Sequence, residues 1–275
     1  MQGYNVRVRT KLLFQDVMAQ LTVISREQYA AKRWKRYSSY SFAGQDTVAP
    51  LVAREVARAC MHLPIGFVKT NDGFQLVAVQ GLQAGKNLMV GPDGRWVGGY
   101  VPATYRTYPF ALAKTTDDRR VLCFREESGL INDVEGERFF EDDGSPTKTL
   151  KDVLSFLEQV TKNAQQTAKL CEMLADVGLI QPWSVKLRTA NRERELEGLF
   201  RVDEAALNAL PVEKLDALRK AGALPVAYCQ LLSMQHLHRL GNLAKQQAAS
   251  ESLASTESGE LDLEFLRDDG NIRFS

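Results

Sequence analysis

Residues 65–82 read IGFVKTNDGFQLVAVQGL, and this stretch decides the fold class. Two apolar, strand-type runs flank Asn71-Asp72-Gly73, where Asp-Gly supplies the positive backbone angles that a tight hairpin requires. Downstream, residues 150–177 place Leu150, Val153, Leu154, Leu157, Val160, Ala164, Cys171, Leu174 and Val177 on one helical face. Thr147 or Thr149 can cap that helix, Gly178 stops it, and Pro182 confirms the break. A hairpin followed by a long amphipathic helix implies an α+β chain: a mixed or antiparallel sheet packed by a long central helix and by C-terminal helices.

Working outward, residues 46–63 carry Val48, Leu51, Val52, Glu55, Val56 and Ala59 at helical spacing. With Asp46 or Thr47 as cap and Pro50 in the first turn, they predict a helix ended by Pro64. Closely spaced glycines at 85, 91, 94, 98 and 99 predict repeated turns, with short strands near Asn87–Val90 and Arg95–Trp96. The run VPATYRTYPFAL predicts a short helix or turn, and Val121–Phe124 a buried strand. SVKLRT and LEGLFRVD read as a second pair of strands, followed by helices at about 203–221 and 225–247.

Three segments result. Residues 1–17 read as an extension, a fusion scar or an upstream start, with Met18 opening a second start. Residues 18–247 form the main domain. Residues 248–275 read as a flexible linker and a docking tail, because an Ala/Ser/Glu-rich run precedes LDLEFLRDDGNIRFS. The tail's docking candidates are Leu261, Leu263, Phe265, Leu266, Ile272 and Phe274.

Composition excludes several functions. The net charge of +1 over 275 residues gives no global signature for nucleic acid or an anionic surface. The apolar run in residues 1–17 is too short for a secretory signal, and no stretch reaches the roughly 18 residues of a spanning helix, so a cytoplasmic protein is expected. Cys60, Cys123, Cys171 and Cys229 are widely spaced without a CxxC pair and read as reduced, buried thiols. His236 and His238 point to opposite sides of a helix, and no His-x-Asp or His-x-Glu occurs, so neither metal nor cofactor is expected. Gly81 to Asn87 fails as a phosphate loop on spacing, and no serine elbow or dinucleotide fingerprint is present.

Two segments mix cations with aromatics. Residues 26–42 interleave Arg33, Lys35 and Arg36 with Trp34, Tyr37 and Tyr40, which suits base stacking or, preferred here, aromatics wrapping a domain with cations in solvent. The second gathers Arg95, Trp96, Tyr105, Arg106 and Tyr108, candidates for a pocket that holds a carboxylate, peptide or planar ligand. A structural aromatic cluster is the plainer reading of the same residues.

HLPIGFVK, the run VAVQGLQAGKNLMVGPDGRWVGGYVPATYRTYPFAL, FFEDDGSPT and LEGLFRVDEAALNAL together resemble the SapC family over about residues 20–245. The resemblance implies a bacterial protein associated with surface-layer systems, distinct from the peptide-transport permease that shares the name. Genes of the family often lie near those for halogenase-like, cupin-like and outer-membrane receptor proteins, and the family supplies no catalytic residues to carry over. Two functional readings follow: an accessory protein recognising a peptide or protein partner in a surface-protein or uptake pathway, or an enzyme modifying a peptide or small molecule at the Arg/aromatic segment. Neither fixes an oligomeric state.

Overall fold

The structure is a computed structural model and describes residues 6–7, 21–115, 117, 119–189 and 192–256. The tail candidates Leu261, Leu263, Phe265, Leu266, Ile272 and Phe274 lie outside the described residues, as does most of the N-terminal extension.

The hairpin forms where it was expected. Strands Ile65–Thr70 and Gly73–Val79 pair antiparallel from Ile65↔Ala78 to Thr70↔Gly73, leaving Asn71-Asp72 as the turn. Gly73 closes it at φ +117°, a region that side chains with a Cβ enter only with strain. The Thr70 hydroxyl ties the turn by donating to Gly73 O (3.0 Å) and accepting from Asp72 N (3.3 Å).

This hairpin is the middle of a wholly antiparallel five-stranded sheet, ordered Ile180–Pro182, Leu199–Val202, Ile65–Thr70, Gly73–Val79, Val48–Pro50. Leu76, Val77, Ala78 and Val79 are consecutive and all buried, so both faces of the sheet are covered. The helix Lys148–Asp176 packs on Gly73–Val79, and the helix Leu224–Ser233 packs on Ile65–Thr70 and Leu199–Val202. Gln230 extends the sheet's own hydrogen bonding. Its amide donates to Ile65 O (3.1 Å) and accepts from Val202 N (2.9 Å), joining two strands just beyond their last paired residues.

A second, three-stranded sheet runs Leu21–Val23, Arg120–Arg125, Phe110–Lys114. It shares an aromatic core of Tyr29, Trp34, Phe110, Phe124 and Phe139 with Leu150 and Leu157 of the long helix. The other half of that helix buries Cys171 and Leu174 in the main core. One helix of 29 residues therefore spans both cores, and the two sheets approach each other across its middle. Its limits follow from local chemistry. Thr147 Oγ1 caps Leu150 N (3.3 Å), while Gly178 at φ +79° lets its own N–H bond Ala175 O and Leu179 N–H bond Leu174 O.

Several elements differ from expectation. Val48–Pro50 is an edge strand rather than a helix start, with only Ala53–Glu55 and Val56–Ala59 helical after it. Gln80 N–H bonds Thr47 O and Leu51 N–H bonds Leu76 O, so Pro50 falls between bonded positions and its missing N–H is not required. Val185–Thr189 pairs with Arg192–Glu197, whereas Leu199–Val202 joins the main sheet. Near Asn87–Trp96 a single bridge, Val90↔Trp96, stands in place of two strands. Pro211 divides the first C-terminal helix into Glu204–Asn208 and Val212–Ala221, and the last helix, Leu237–Thr256, extends into the Ala/Ser-rich run. Among the described residues, no helix is long and apolar enough to cross a membrane.

Candidate functional site: a groove between two strand edges

The strand Gly73–Val79 outruns its outer neighbour. Val48–Pro50 pairs only with Val77–Val79, and the next contact is Leu51 N–H to Leu76 O, so Gly73–Gln75 is open on that side. With Thr70 and Gly73 as the bonded pair closing a two-residue turn, alternation turns the peptide groups of Phe74 outward. Across from it, Phe110–Lys114 forms the edge of the three-stranded sheet. There Arg125 N–H bonds Pro109 O (3.1 Å) and Thr115 N–H bonds Arg119 O (2.8 Å), which makes the odd-numbered residues the bonded set. The peptide groups of Leu112 therefore point away from their own sheet.

Between these edges lies a cavity of about 530 Å³, lined by Leu51, Phe74, Leu112, Val160, Ala164 and Ala168 among others. Most of the lining surface is apolar, with Thr70, Asn71, Asp72, Lys114 and Arg120 as polar members at the hairpin and strand ends and Glu55, Thr104, Thr161, Gln165 and Thr167 along the walls. Gln75 also lines it, and its buried Oε1 has no hydrogen-bond partner. A buried acceptor without a donor is costly, which marks this position as one a ligand N–H could complete.

Val52, Glu55 and Val160 line both this groove and a smaller cleft of about 160 Å³. Glu55 organises that wall. Only 5% exposed, its carboxylate accepts from Val52 N (2.9 Å), Ala103 N (2.8 Å) and the Tyr100 hydroxyl (2.8 Å). It thereby fastens the Val52 turn to the short helix Ala103–Arg106. Burial, then the bond to Glu55, pushes the Tyr100 phenol well above its ordinary pKa, so the hydroxyl stays a donor. Arg106 lies over the rings of Tyr100 (5.8 Å) and Phe156 (5.4 Å) and donates to the Tyr100 hydroxyl (3.2 Å). Its guanidinium stands 3.8 Å from Glu55 Oε2.

Of the five residues singled out from the sequence, the structure separates the two arginines from the three aromatic residues. Arg106 lines the smaller cleft. Arg95 is exposed on its turn, beside Asp93 at 3.4 Å. Trp96 donates to Tyr100 O (3.0 Å) and packs against Tyr40 and Tyr105. Tyr105 is 6% exposed and donates to Gln80 Oε1 (2.7 Å), while Tyr108 stacks on Phe42 at 3.8 Å. Trp96, Tyr105 and Tyr108 thus belong to one aromatic cluster with Tyr37, Tyr40 and Phe42.

The other basic and aromatic segment is structural. Arg33–Trp34 is a strand between Ile131–Asn132 and Glu137–Arg138, with the Trp34 ring in the aromatic core. Its cations meet the following acidic loop, as Lys32–Asp133 (2.7 Å), Lys35–Glu135 and Arg36–Glu137 (3.0 Å). Among the described residues, no three His, Cys, Asp or Glu side chains converge as metal ligands.

Sequence reasoning missed Glu55, Gln75, and Arg54 and Arg58, which also line the smaller cleft. One signal was present: Arg54 and Arg58 stand four apart, on one side of any helical segment at 53–59. Gln75 carried none, since a glutamine in an apolar strand says nothing about an empty neighbour.

The SapC family model matches residues 24–240, most of the chain. The chain belongs to the SapC family. The span matched as SapC contains both strand edges, the long helix segment between them and the Glu55 wall, so the groove of this chain lies within it. No curated protein and no solved structure matches the chain.

Proposed function

We propose that this SapC protein is a non-catalytic recognition protein that receives an extended peptide segment of a partner, within a bacterial surface-protein or uptake pathway. The observation that carries the reading is the pair of open strand edges bordering one apolar groove. A peptide laid between Phe74 and Leu112 gains backbone hydrogen bonds from both banks and joins the two sheets, the mode of strand addition. Gln75 Oε1 offers a further acceptor for its N–H groups.

From Val160 to Cys171 the helix rises about 17 Å at 1.5 Å per residue, the length of about five residues of strand. Specificity comes from alternate side chains: one set enters the apolar groove while the other meets the solvent rim of Asp72, Lys114 and Arg120. The pathway assignment rests on the family resemblance.

A dansyl-labelled hexapeptide Leu-Asp-Leu-Glu-Phe-Leu, the sequence of residues 261–266, has this alternation and serves as probe. Titrated into the full chain, it should give a saturable fluorescence rise that Ala168→Trp abolishes. Ala168 lies exposed on the helix surface, so the variant fills the groove without entering the core. Absence of saturation, or equal binding by the variant, overturns the reading.

A further inference from the structure

We infer that the cleft formed by Arg54, Arg58 and Arg106 is an oxyanion subsite that holds a carboxylate of the ligand lying in the groove. The inference rests on the groove as a ligand site and adds the chemistry of one end of that ligand. Three arginines are among the residues lining this cleft, and Glu55 is the one acidic residue among them. That carboxylate is already engaged by two backbone N–H groups and a tyrosine hydroxyl, with Arg106 nearest among the cations.

Arg36, Arg95, Arg138 and Arg219 each have an acidic partner within 4 Å. Arg54 and Arg58 share with Arg33, Arg201 and Arg239 the lack of such a partner among the described residues, but they alone of these line the cleft. The carboxylate nearest them in the cleft is committed elsewhere. Both Arg58 and Arg106 lie close enough to Tyr100 to oppose, in part, the effect of burial on its phenol. Like charges gathered at one cleft repel one another, and an anion seated among them removes that repulsion while meeting planar, bidentate donors.

Size and position narrow the ligand further. A cleft of about 160 Å³ takes a small polar group and not the apolar body, for which the neighbouring 530 Å³ is available. The two spaces meet at Val52, Glu55 and Val160. Along the helix, Phe156 in the cleft and Ala168 in the groove are separated by a rise of about 18 Å. The ligand class is therefore amphipathic: an extended apolar segment with a carboxylate at one end. In a peptide, that group is either the C-terminus or an acidic side chain near the end of the bound stretch.

The test compares two dyes with the same kind of apolar body, 1-anilinonaphthalene-8-sulfonate and the uncharged N-phenyl-1-naphthylamine, by fluorescence titration of the full chain. Arg54 and Arg58 are exposed, so Arg54→Gln/Arg58→Gln should fold, and circular dichroism checks this. The double variant should bind the sulfonate dye at least tenfold more weakly and the neutral dye unchanged, with Ala168→Trp removing both. Unchanged affinity of the sulfonate dye, or an equal loss for both dyes, overturns the subsite. If Ala168→Trp leaves neutral-dye binding intact, the groove reading fails independently of the arginine result. The dansyl hexapeptide with a free or an amidated C-terminus then separates the sources. A weakened amide assigns the terminal carboxylate; equal binding of both forms, still lost with the arginines, assigns the side chains.

Discussion

Glu55→Gln tests whether the wall between groove and cleft is held by hydrogen bonds or by the ion pair with Arg106. The native carboxylate accepts three bonds, one on Oε1 from Val52 N and two on Oε2 from Ala103 N and the Tyr100 hydroxyl. An amide offers one oxygen and one NH₂, so in either orientation a buried N–H donor faces another donor. Leaving one buried backbone N–H unsatisfied costs about 1–3 kcal/mol, and the remaining bonds lose their charge assistance at about 1 kcal/mol each. Removing a buried charge returns part of this. The balance is about 3 kcal/mol of lost stability.

With a urea m-value of about 3 kcal/mol/M for a domain of this size, the unfolding midpoint should fall by about 1 M. Tyr100→Phe removes one of the three bonds and should lower it by about 0.4 M, from a loss of about 1–1.5 kcal/mol. Arg106→Gln breaks a 3.8 Å pair whose cation is 43% exposed, which is worth under about 0.5 kcal/mol after solvent screening. Equilibrium unfolding followed by far-ultraviolet circular dichroism gives all three midpoints. The reasoning is refuted if Glu55→Gln unfolds within about 0.2 M of the native chain, or if Arg106→Gln is as damaging as Glu55→Gln.

Gln230→Leu removes a buried acceptor and donor at once, stranding Val202 N–H and Ile65 O, and should cost about 2–4 kcal/mol by the same unfolding assay. Gly73→Val places a β-branched residue at φ +117° where no neighbour blocks it, so backbone strain alone should destabilise by about 1–3 kcal/mol; a loss below 0.5 would show that the turn relaxes. Burial pushes the Tyr29 and Tyr105 phenols above their ordinary pKa of 10. The folded state then keeps protons that the unfolded chain releases. Stability is full below pH 10 and falls above it, by up to about 1.4 kcal/mol per pH unit for each phenol. Tyr105→Phe should flatten that alkaline decline, as measured by urea midpoints between pH 8 and 11.5.

The elements legible in the sequence were those whose cause is local. Asn71-Asp72-Gly73 reads as a turn because glycine is needed at its closing position, and the Thr147 to Gly178 helix because cap, period and stop agree. Val48–Pro50 was illegible because its helical spacing is real while its partner, Val77–Val79, lies about 30 residues downstream and decides otherwise. The aromatic segment from Arg95 to Tyr108 was legible as a structural cluster, the plainer of its two readings, but not in which residues enter it. Its residues are close in sequence, yet successive side chains on the short helix Ala103–Arg106 point about 100° apart, so Tyr105 is buried while Arg106 is exposed.

The groove shows why a candidate site can be harder to read than a fold. Its banks come from residues 50–55, 70–76, 112–114 and 160–171 with Thr104 and Arg120, and none of these segments is unusual alone. What makes the site is an absence of pairing: one strand is longer than its neighbour, and another ends a sheet. Those facts belong to register, which periodicity does not specify. The arginine cleft lies between these extremes. Arg54 and Arg58 share a helical face by spacing alone, and the sequence shows that much. Their significance depends on Glu55 turning inward to bond Val52 and Ala103, which leaves the charge of Arg54 and Arg58 without a carboxylate of their own at the end of an apolar groove.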